Sequence, residues 1–530
     1  MTEQDFIDAG VVEFDSNGEP YIINKPGHLP DVCDAEVYYL AKAHQLEVFT
    51  RAGGLAKIYP ATERVAGVKR DDGACTIRAM TSPHLREVMG RAVRHKKHDA
   101  RRDALVPTDC SRAVADTLLE RGYFPGVRPL EGFLGAPTIT RAARIIDLPG
   151  WDQETGLYLA AKAIAGYDRP TDFSRKAAAQ AVAYLNDLFK TFPFCGEADR
   201  CAMLAAVLTA IVRQILPTAP LLLITAPTPG TGKSKLSEAI GIIVTGRKPA
   251  VVALGQDDAE TEKRLGGVFL AGDQIILIDN VVGLIRGVFL CQIATQPTVK
   301  IRPMGTSAVL DVPTNSTVIL NGNNLTLVGD IQRRVMSIGL DAKMERPELR
   351  HFDGDFLEGI RANRGPIVRA ALTIIGAYVH AGSPTLEDLL PFGSFEEWDA
   401  MCRRPLVWLG LPDPLASAEA LRDSDPDLEA IRMLMDAWRA KFASDWVRLA
   451  DVVDAAMART GDIYHNPDLY DSLQIACSEK PNSKRLGNWL RKHHGRIVDS
   501  ALFVKSGPDS HSKVAKWRLS DAGSAGSCGI

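Results

Sequence analysis

The sequence predicts a multidomain α/β protein built around a sheet whose strands alternate with helices, and three observations carry that expectation. At 530 residues the chain exceeds what one ordinary core accommodates. Short apolar runs recur at residues 221–224, 251–254, 275–278 and 317–320, with helical or loop segments between them, the rhythm of a sheet flanked by helices. The first of these runs leads through a glycine-bearing loop into the start of a helix. The expected parts are an N-terminal mixed α/β domain (1–165), a helical connector (166–216), the strand-and-helix core (217–350), a helical region (351–425) and a last domain (426–530).

Each part has a local reason. In the first, apolar runs alternate with turn signals such as Gly53-Gly54, Asp71-Asp72-Gly73 and Leu148-Pro149-Gly150. Residues 86–102 hold seven Arg or Lys against Glu87 and Asp99, which predicts either a solvated helix face or a local nucleic-acid contact. Two helical patterns run over 172–216 and break at Phe192-Pro193-Phe194. Their apolar end, 202–216, is shorter than the roughly 20 residues that cross a bilayer. It also contains Arg213 and Gln214, so a buried helix is expected. Helical patterns return at 367–380 and 395–409, and an acidic stretch at 423–427 precedes the last domain.

Composition narrows the function classes. A net charge of -3 makes the whole molecule neither a polycation nor an acidic tail, so any nucleic-acid surface is local. Nine cysteines are scattered; only Cys195 and Cys201 lie close, with a spacing that fits neither a zinc ribbon nor a redox pair, and reduced buried thiols are expected. The acidic start of the chain lacks the basic head and apolar run of a signal peptide, which predicts a cytoplasmic protein without a membrane partner.

The chemistry concentrates where the strand Leu221-Leu222-Leu223-Ile224 runs into Pro227-Thr228-Pro229-Gly230-Thr231-Gly232-Lys233-Ser234. Gly230 and Gly232 let backbone amides converge on phosphate oxygens, and the following helix points its positive end there. Pro229, Gly230, Thr231, Gly232, Lys233, Ser234 and Lys235 form the expected nucleotide-holding set. Lys233 reaches the outer phosphates of ATP, and the Ser234 hydroxyl ligates Mg²⁺. Pro227 stands where the strict consensus has its first glycine, a position that starts the loop rather than touching phosphate. Farther on, Ile275-Ile276-Leu277-Ile278-Asp279 is an apolar strand ending in a carboxylate, expected on an adjoining strand and able to hold the metal opposite Ser234. Asn280 follows, and an amide orients water without taking its proton. The general base stays unassigned, with Glu262 and Asp273 as candidates.

The order of Thr317-Val318-Ile319-Leu320-Asn321-Gly322-Asn323-Asn324, Gly329-Asp330-Ile331-Gln332-Arg333-Arg334 and Glu345-Arg346-Pro347 behind these two elements resembles the helicase part of phage, plasmid and integrative-element replication proteins. These are relatives of poxvirus-type primase-helicases and superfamily-3 helicases, within the AAA+ class. The outer segments Leu148-Pro149-Gly150-Trp151-Asp152 and Trp408-Leu409-Gly410-Leu411-Pro412-Asp413-Pro414 share in the resemblance. It implies a P-loop AAA+ (superfamily-3-like) ATPase core working as a homo-hexamer. An asparagine sensing the γ-phosphate would be Asn321 or Asn323, with Asn323 the better fit, and Arg333 or Arg334 would face the neighbouring subunit's phosphate unless tied to Asp330 or Asp341. It also implies a pore hairpin over Val299-Lys300-Ile301-Arg302-Pro303-Met304-Gly305-Thr306, with Lys300 and Arg302 on the DNA backbone.

In the last domain, Leu486, Trp489 and Leu490 recur at helical spacing with Lys484, Arg485, Arg491 and Lys492 on other faces. An apolar Leu502-Phe503, a polar turn at 506–512 and Lys516-Trp517-Arg518-Leu519 follow, which predicts a winged helix serving DNA or a protein. The expected function is ATP-driven DNA unwinding or translocation, with an ATP-switched initiator as the alternative. Primase chemistry is not expected, because the N-terminal part shows no paired-carboxylate metal motif with a nearby histidine.

Overall fold

The computed structural model describes residues 1–60, 70–71, 74–160, 164–303, 309–350, 354–418, 426–478, 480–507 and 515–521. The turn residues Asp72 and Gly73, the hairpin tip from Met304 to Thr306, the acidic stretch 423–425 and the turn residues 508–512 lie outside them. The chain forms two compact units, residues 1–325 with 329–418, and residues 419–530 with 326–328.

The first unit opens on a four-stranded sheet of β1 (Val12–Phe14), β2 (Pro20–Ile23), β3 (Arg94–Asp99) and β4 (Ala104–Pro107), in that order. Strands β2 and β3 are parallel, and a connection that long carries helices: α1 (Leu29–Lys42), then α2 (Ser82–Ala92). With α3 (Arg112–Arg121) these helices bury Ile22, Val32, Leu40, Leu85, Met89 and Leu118. The basic segment 86–102 is thus the end of α2 plus strand β3, not one helix face. On β3 only His95 is buried; Arg94, Lys97 and His98 are exposed, and Lys96 and Asp99 are half-buried.

The predicted helix pair is present as α4 (Arg175–Phe189) and α5 (Glu197–Val212), interrupted at Pro193. Arg213, just past α5, is fully buried and donates to the carbonyl oxygens of Leu216 (2.6 Å) and Ser316 (3.1 Å), and burial pulls its pKa down to about 9. That satisfied guanidinium explains how an arginine sits in an otherwise apolar run. No helix among the described residues is long and apolar enough to cross a membrane.

The core sheet holds five strands: β5 (Leu221–Ala226), β6 (Ala250–Val252), β7 (Ile275–Ile285), β10 (Thr317–Leu327) and β11 (Val335–Gly339), in the order β6-β7-β10-β5-β11. The pairs β6/β7, β10/β5 and β5/β11 are parallel. Strand β5 is buried along nearly all its length and is contacted by α6 (Lys233–Thr245), while α7 (Asp258–Ala271) packs near the sheet's edge against β6. The sheet corrects two expectations. The strand bearing Asp279 does not adjoin β5, which leads into the glycine loop, since β10 lies between them, and β11 is a fifth strand that the sequence reading lacked. Helix α8 (Val288–Thr295) and an antiparallel hairpin of β8 (Thr298–Ile301) and β9 (Leu310–Pro313) fill the interval between β7 and β10.

Two helices, α9 (Phe356–Ala362) and α10 (Arg364–His380), then return against the core and α4. Beyond them lies a buried ion network: Arg403 contacts Asp399 (3.0 Å) and Asp413 (2.6 Å), and Arg404 contacts Asp399 (2.6 Å). Removing one member leaves buried charge uncompensated, so Asp399→Ala is expected to cost about 3–5 kcal/mol. Thermal unfolding followed by circular dichroism checks it; an unchanged midpoint would contradict the network's structural role.

The second unit contains α11 (Pro426–Phe442), β12 (Val447–Arg448), α12 (Leu449–Met457), α13 (Pro467–Cys477), α14 (Ser483–Lys492), β13 (Ala501–Lys505) and β14 (Lys516–Asp521). Its strands form an antiparallel sheet in the order β12-β14-β13. Trp438, Val452, Leu473, Leu486, Leu490, Phe503 and Trp517 make its core.

Candidate nucleotide site

Strand β5 ends at Ala226, and Pro227 and Pro229 prevent it from continuing. Gly230 and Gly232 have φ of 79° and 105°, the left-handed region where a side chain would be strained. Both also lie against neighbours. A Cβ on Gly232 would stand 2.9 Å from the Phe192 ring, and one on Gly230 3.0 Å from the Glu348 backbone nitrogen. The loop therefore needs glycine for conformation and for space, and it delivers Lys233 as the first residue of α6.

Lys233 Nζ donates to Asn323 Oδ1 at 2.6 Å, and Thr231 Oγ1 and the Thr228 carbonyl oxygen lie at 3.4 and 3.5 Å. Burial pulls its pKa down, opposed by the charge of Asp279. The ammonium is thus part-desolvated and held by neutral oxygens, with a carboxylate nearby, which suits a group that awaits an anion. Asn323 stands directly opposite Ala226 in the β10/β5 register, so the strand pairing itself brings it to the loop. Asn321 is different: it is fully buried and its Oδ1 accepts from Ser237 Oγ at 2.9 Å, fastening β10 to α6. One asparagine thus packs the strand against α6, and the other bonds the amine of the glycine loop's lysine.

Asp279 is half-buried on β7, and its Oδ1 accepts from the Asn280 amide at 3.0 Å. Asn280 is exposed with φ 56°, a conformation that asparagine tolerates better than most residues. Ser234 and Lys235 are exposed on the first turn of α6. Asp273 is removed from the general-base candidates. It is buried two residues before β7 begins, paired with Arg70 (Nε to Oδ1, 2.7 Å), and six residue steps of nearly extended chain, roughly 20 Å, lead from it to Asp279. Among the described residues no hydrogen bond or ion pair joins Glu262 to Lys233, Ser234 or Asp279.

Both arginines lie in a turn, Gly329–Arg334, and both contact Asp330. They differ in what else holds them. Arg334 also donates to the Cys291 carbonyl oxygen and Thr295 Oγ1, each at 2.7 Å, so it clamps the turn to α8. Arg333 is 72% exposed and is paired with Asp330 through its Nε.

The remaining basic candidates lie on other surfaces. Lys300 and Arg302 are exposed at the β8 end of the hairpin, with Lys300 Nζ 3.1 Å from Asp311 on β9. Lys484, Arg485, Arg491 and Lys492 are all exposed on α14, whose N-terminus is capped by Asn482 (2.9 Å to the Arg485 amide). Two neighbours of the loop were missed by sequence reasoning. Phe192 had been read only as part of a helix break, and Glu348, beside the Glu345-Arg346-Pro347 segment, places a carboxylate against Gly230. Its own backbone amide and Arg346 hold that carboxyl below the usual range. No spacing in the sequence brings Phe192 to Gly232 or Glu348 to Gly230.

No family model matches this sequence, and no curated protein matches it. Among solved structures, the A-form apo structure of the NrS-1 C-terminal region is similar at a TM-score of 0.36 and 9% identity, covering 87% of this chain and 95% of that one. A second structure of the same region gives 0.36 and 10%, covering 86% and 96%.

Proposed function

We propose that this chain is an ATP-dependent DNA helicase or translocase, with a P-loop AAA+ core of the superfamily-3 kind, acting as a ring of six copies in the replication of a phage, plasmid or other mobile element. The observation that carries this reading is the 2.6 Å contact between Lys233 and Asn323 at the mouth of the glycine loop, with Asp279 close enough to act on the same ammonium. Three residues from three separate elements meet where β5 feeds α6, the end of a parallel sheet at which α/β proteins hold their ligands.

The donor set fits a magnesium nucleotide. The backbone from Pro229 to Ser234 and the Lys235 turn would hold the phosphates, and Ser234 and Asp279 would hold Mg²⁺. When bound, magnesium ATP supplies a phosphoanhydride bond whose cleavage releases free energy for movement. Lys233 would then exchange Asn323 for phosphate oxygens, which would free the Asn323 amide to bond the outermost phosphate. Asn280 orients water by its amide and leaves the proton to water or phosphate.

The ring is supported by what α8 and its neighbours expose. Val282 and Leu284 on β7 and Val288 on α8 are apolar and largely solvent-facing, and α8 is the helix to which Arg334 clamps the turn bearing Arg333. A neighbouring copy covering that apolar face would receive Arg333 at its own nucleotide. Lys300 and Arg302 would contact the DNA backbone from the hairpin, and the second unit would act as a winged helix, with α14 presenting Lys484, Arg485, Arg491 and Lys492 to phosphates.

ATP turnover of the purified chain is expected to rise several-fold on adding single-stranded DNA, with unwinding of a forked duplex that weakens steeply as salt increases. Equal turnover with and without DNA, and no unwinding, would overturn the motor reading. Asn280 in place of an acidic residue favours slow hydrolysis, so DNA-dependent assembly without repeated turnover would instead indicate an ATP-switched initiator.

A further inference from the structure

We infer that the N-terminal four-stranded module holds a zinc-class divalent metal ion on Glu36, His95 and Cys110. Glu36 projects from α1 and His95 from β3, while Cys110 follows β4 just before α3. Each is almost completely buried, and one ligand atom from each lies within 4.8 Å of the other two. In sequence they are 59 and 15 positions apart, so no spacing rule reveals them.

Two independent features point to a cation rather than to an ordinary buried pair. His95 Nε2 and Glu36 Oε1 are 2.5 Å apart, which accounts for one carboxylate oxygen. The other, Oε2, is buried without a hydrogen-bond partner, a costly state for a carboxylate in a side chain of zero exposure. The Cys110 thiol is the third ligand atom of the cluster, and it also lies 3.6 Å from the Ser111 carbonyl oxygen, to which it donates. The nearby Cys33, one turn before Glu36 on α1, directs its thiol to the Val114 carbonyl oxygen at 3.9 Å.

A sulfur, an imidazole nitrogen and a carboxylate oxygen form a mixed donor set that suits zinc far better than magnesium or calcium. Binding would release the Cys110 proton to solvent. The thiolate and the Glu36 carboxylate then carry two negative charges against the two positive charges of the ion, and neutral His95 adds none. Zinc-ligand bonds of about 2.0–2.3 Å put tetrahedral ligands roughly 3.3–3.8 Å apart, so His95 and Glu36 need to part by about 1 Å. Three protein ligands leave a fourth position. His95 and Cys110 border an 820 Å³ cleft lined by basic residues (Arg86, Arg91, Arg94 and Lys96) and acidic ones (Asp15, Glu87 and Asp109), from which water could take that position.

The test uses the full-length chain. After dialysis against zinc and then metal-free buffer, mass spectrometry of the metal content is expected to give about one zinc per chain. X-ray absorption is expected to show one sulfur and three lighter ligands. Replacing zinc by cobalt is expected to give a thiolate-to-cobalt charge-transfer band that disappears in Cys110→Ser and persists in Cys195→Ser, a change at an exposed cysteine. Should Cys110→Ser fold poorly, Glu36→Gln serves in its place, with the expected result a large loss of zinc affinity in competition with a chelator. Wild-type protein that retains no zinc would overturn the inference, as would a spectrum with two sulfur ligands or a cobalt band unchanged in Cys110→Ser. None of these readouts depends on ATP or DNA, so they stand or fall apart from the proposed motor.

Discussion

Lys233→Ala is expected to lower ATP turnover by at least about 10²–10³-fold while leaving the fold intact, because it removes the ammonium proposed to meet the nucleotide's outer phosphates. Lys233 is half-buried and its amine bonds only to oxygens of the site, so truncation costs little packing. The loss also deprives Asn323 of its partner, but that amide lies at the site mouth and can bond water instead. Circular dichroism and thermal unfolding should therefore match the wild type, while steady-state hydrolysis measured by phosphate release falls to near background. A variant that hydrolyses ATP normally would move the phosphate contact elsewhere.

Arg333→Ala carries the second large effect. An arginine supplied to a neighbouring subunit's phosphate is worth on the order of 10³–10⁵ in rate in other phosphate-transfer enzymes. Both arginines pair with Asp330, but Arg334 is also tied to the Cys291 carbonyl oxygen and Thr295, whereas Arg333 is largely exposed and would have only Asp330 to leave, so Arg333 suits that role better. Arg333→Ala alone is expected to be nearly inactive yet stable. Mixed with Lys233→Ala, it should regain part of the activity, because some interfaces then pair an intact loop with an intact arginine. No rescue at any mixing ratio would contradict action across subunits. Arg334→Ala, by contrast, is expected to lower the melting temperature as well as turnover, since it unclamps the turn from α8.

Much of the core was legible because its signals are local. Pro193 breaks the helix pair where expected, and the apolar run before Pro227 gives a strand buried on both faces. The helix after Gly232 begins at Lys233, as the loop composition implies. What stayed hidden depends on strand order and on distant packing. β10 enters between β5 and β7, which no segment of either strand encodes. Strand β11, only five residues long, follows a turn full of charged residues and has no flanking pattern of its own. Asn321 and Asn323 share one strand and one residue type. Only the Ser237 hydroxyl beside one and the Lys233 amine beside the other separate packing from site. Asp273 looked like a free carboxylate until Arg70, 203 positions earlier, was found beside it.

The most direct measurement is a crystal structure of the chain with a nonhydrolysable ATP analogue and Mg²⁺. The triphosphate should lie along the amides of residues 229–234 with Lys233 on its outer phosphates, and the metal should sit between Ser234 and Asp279. A nucleotide bound elsewhere, or Asp279 turned away from the metal, would contradict the assignment of this site.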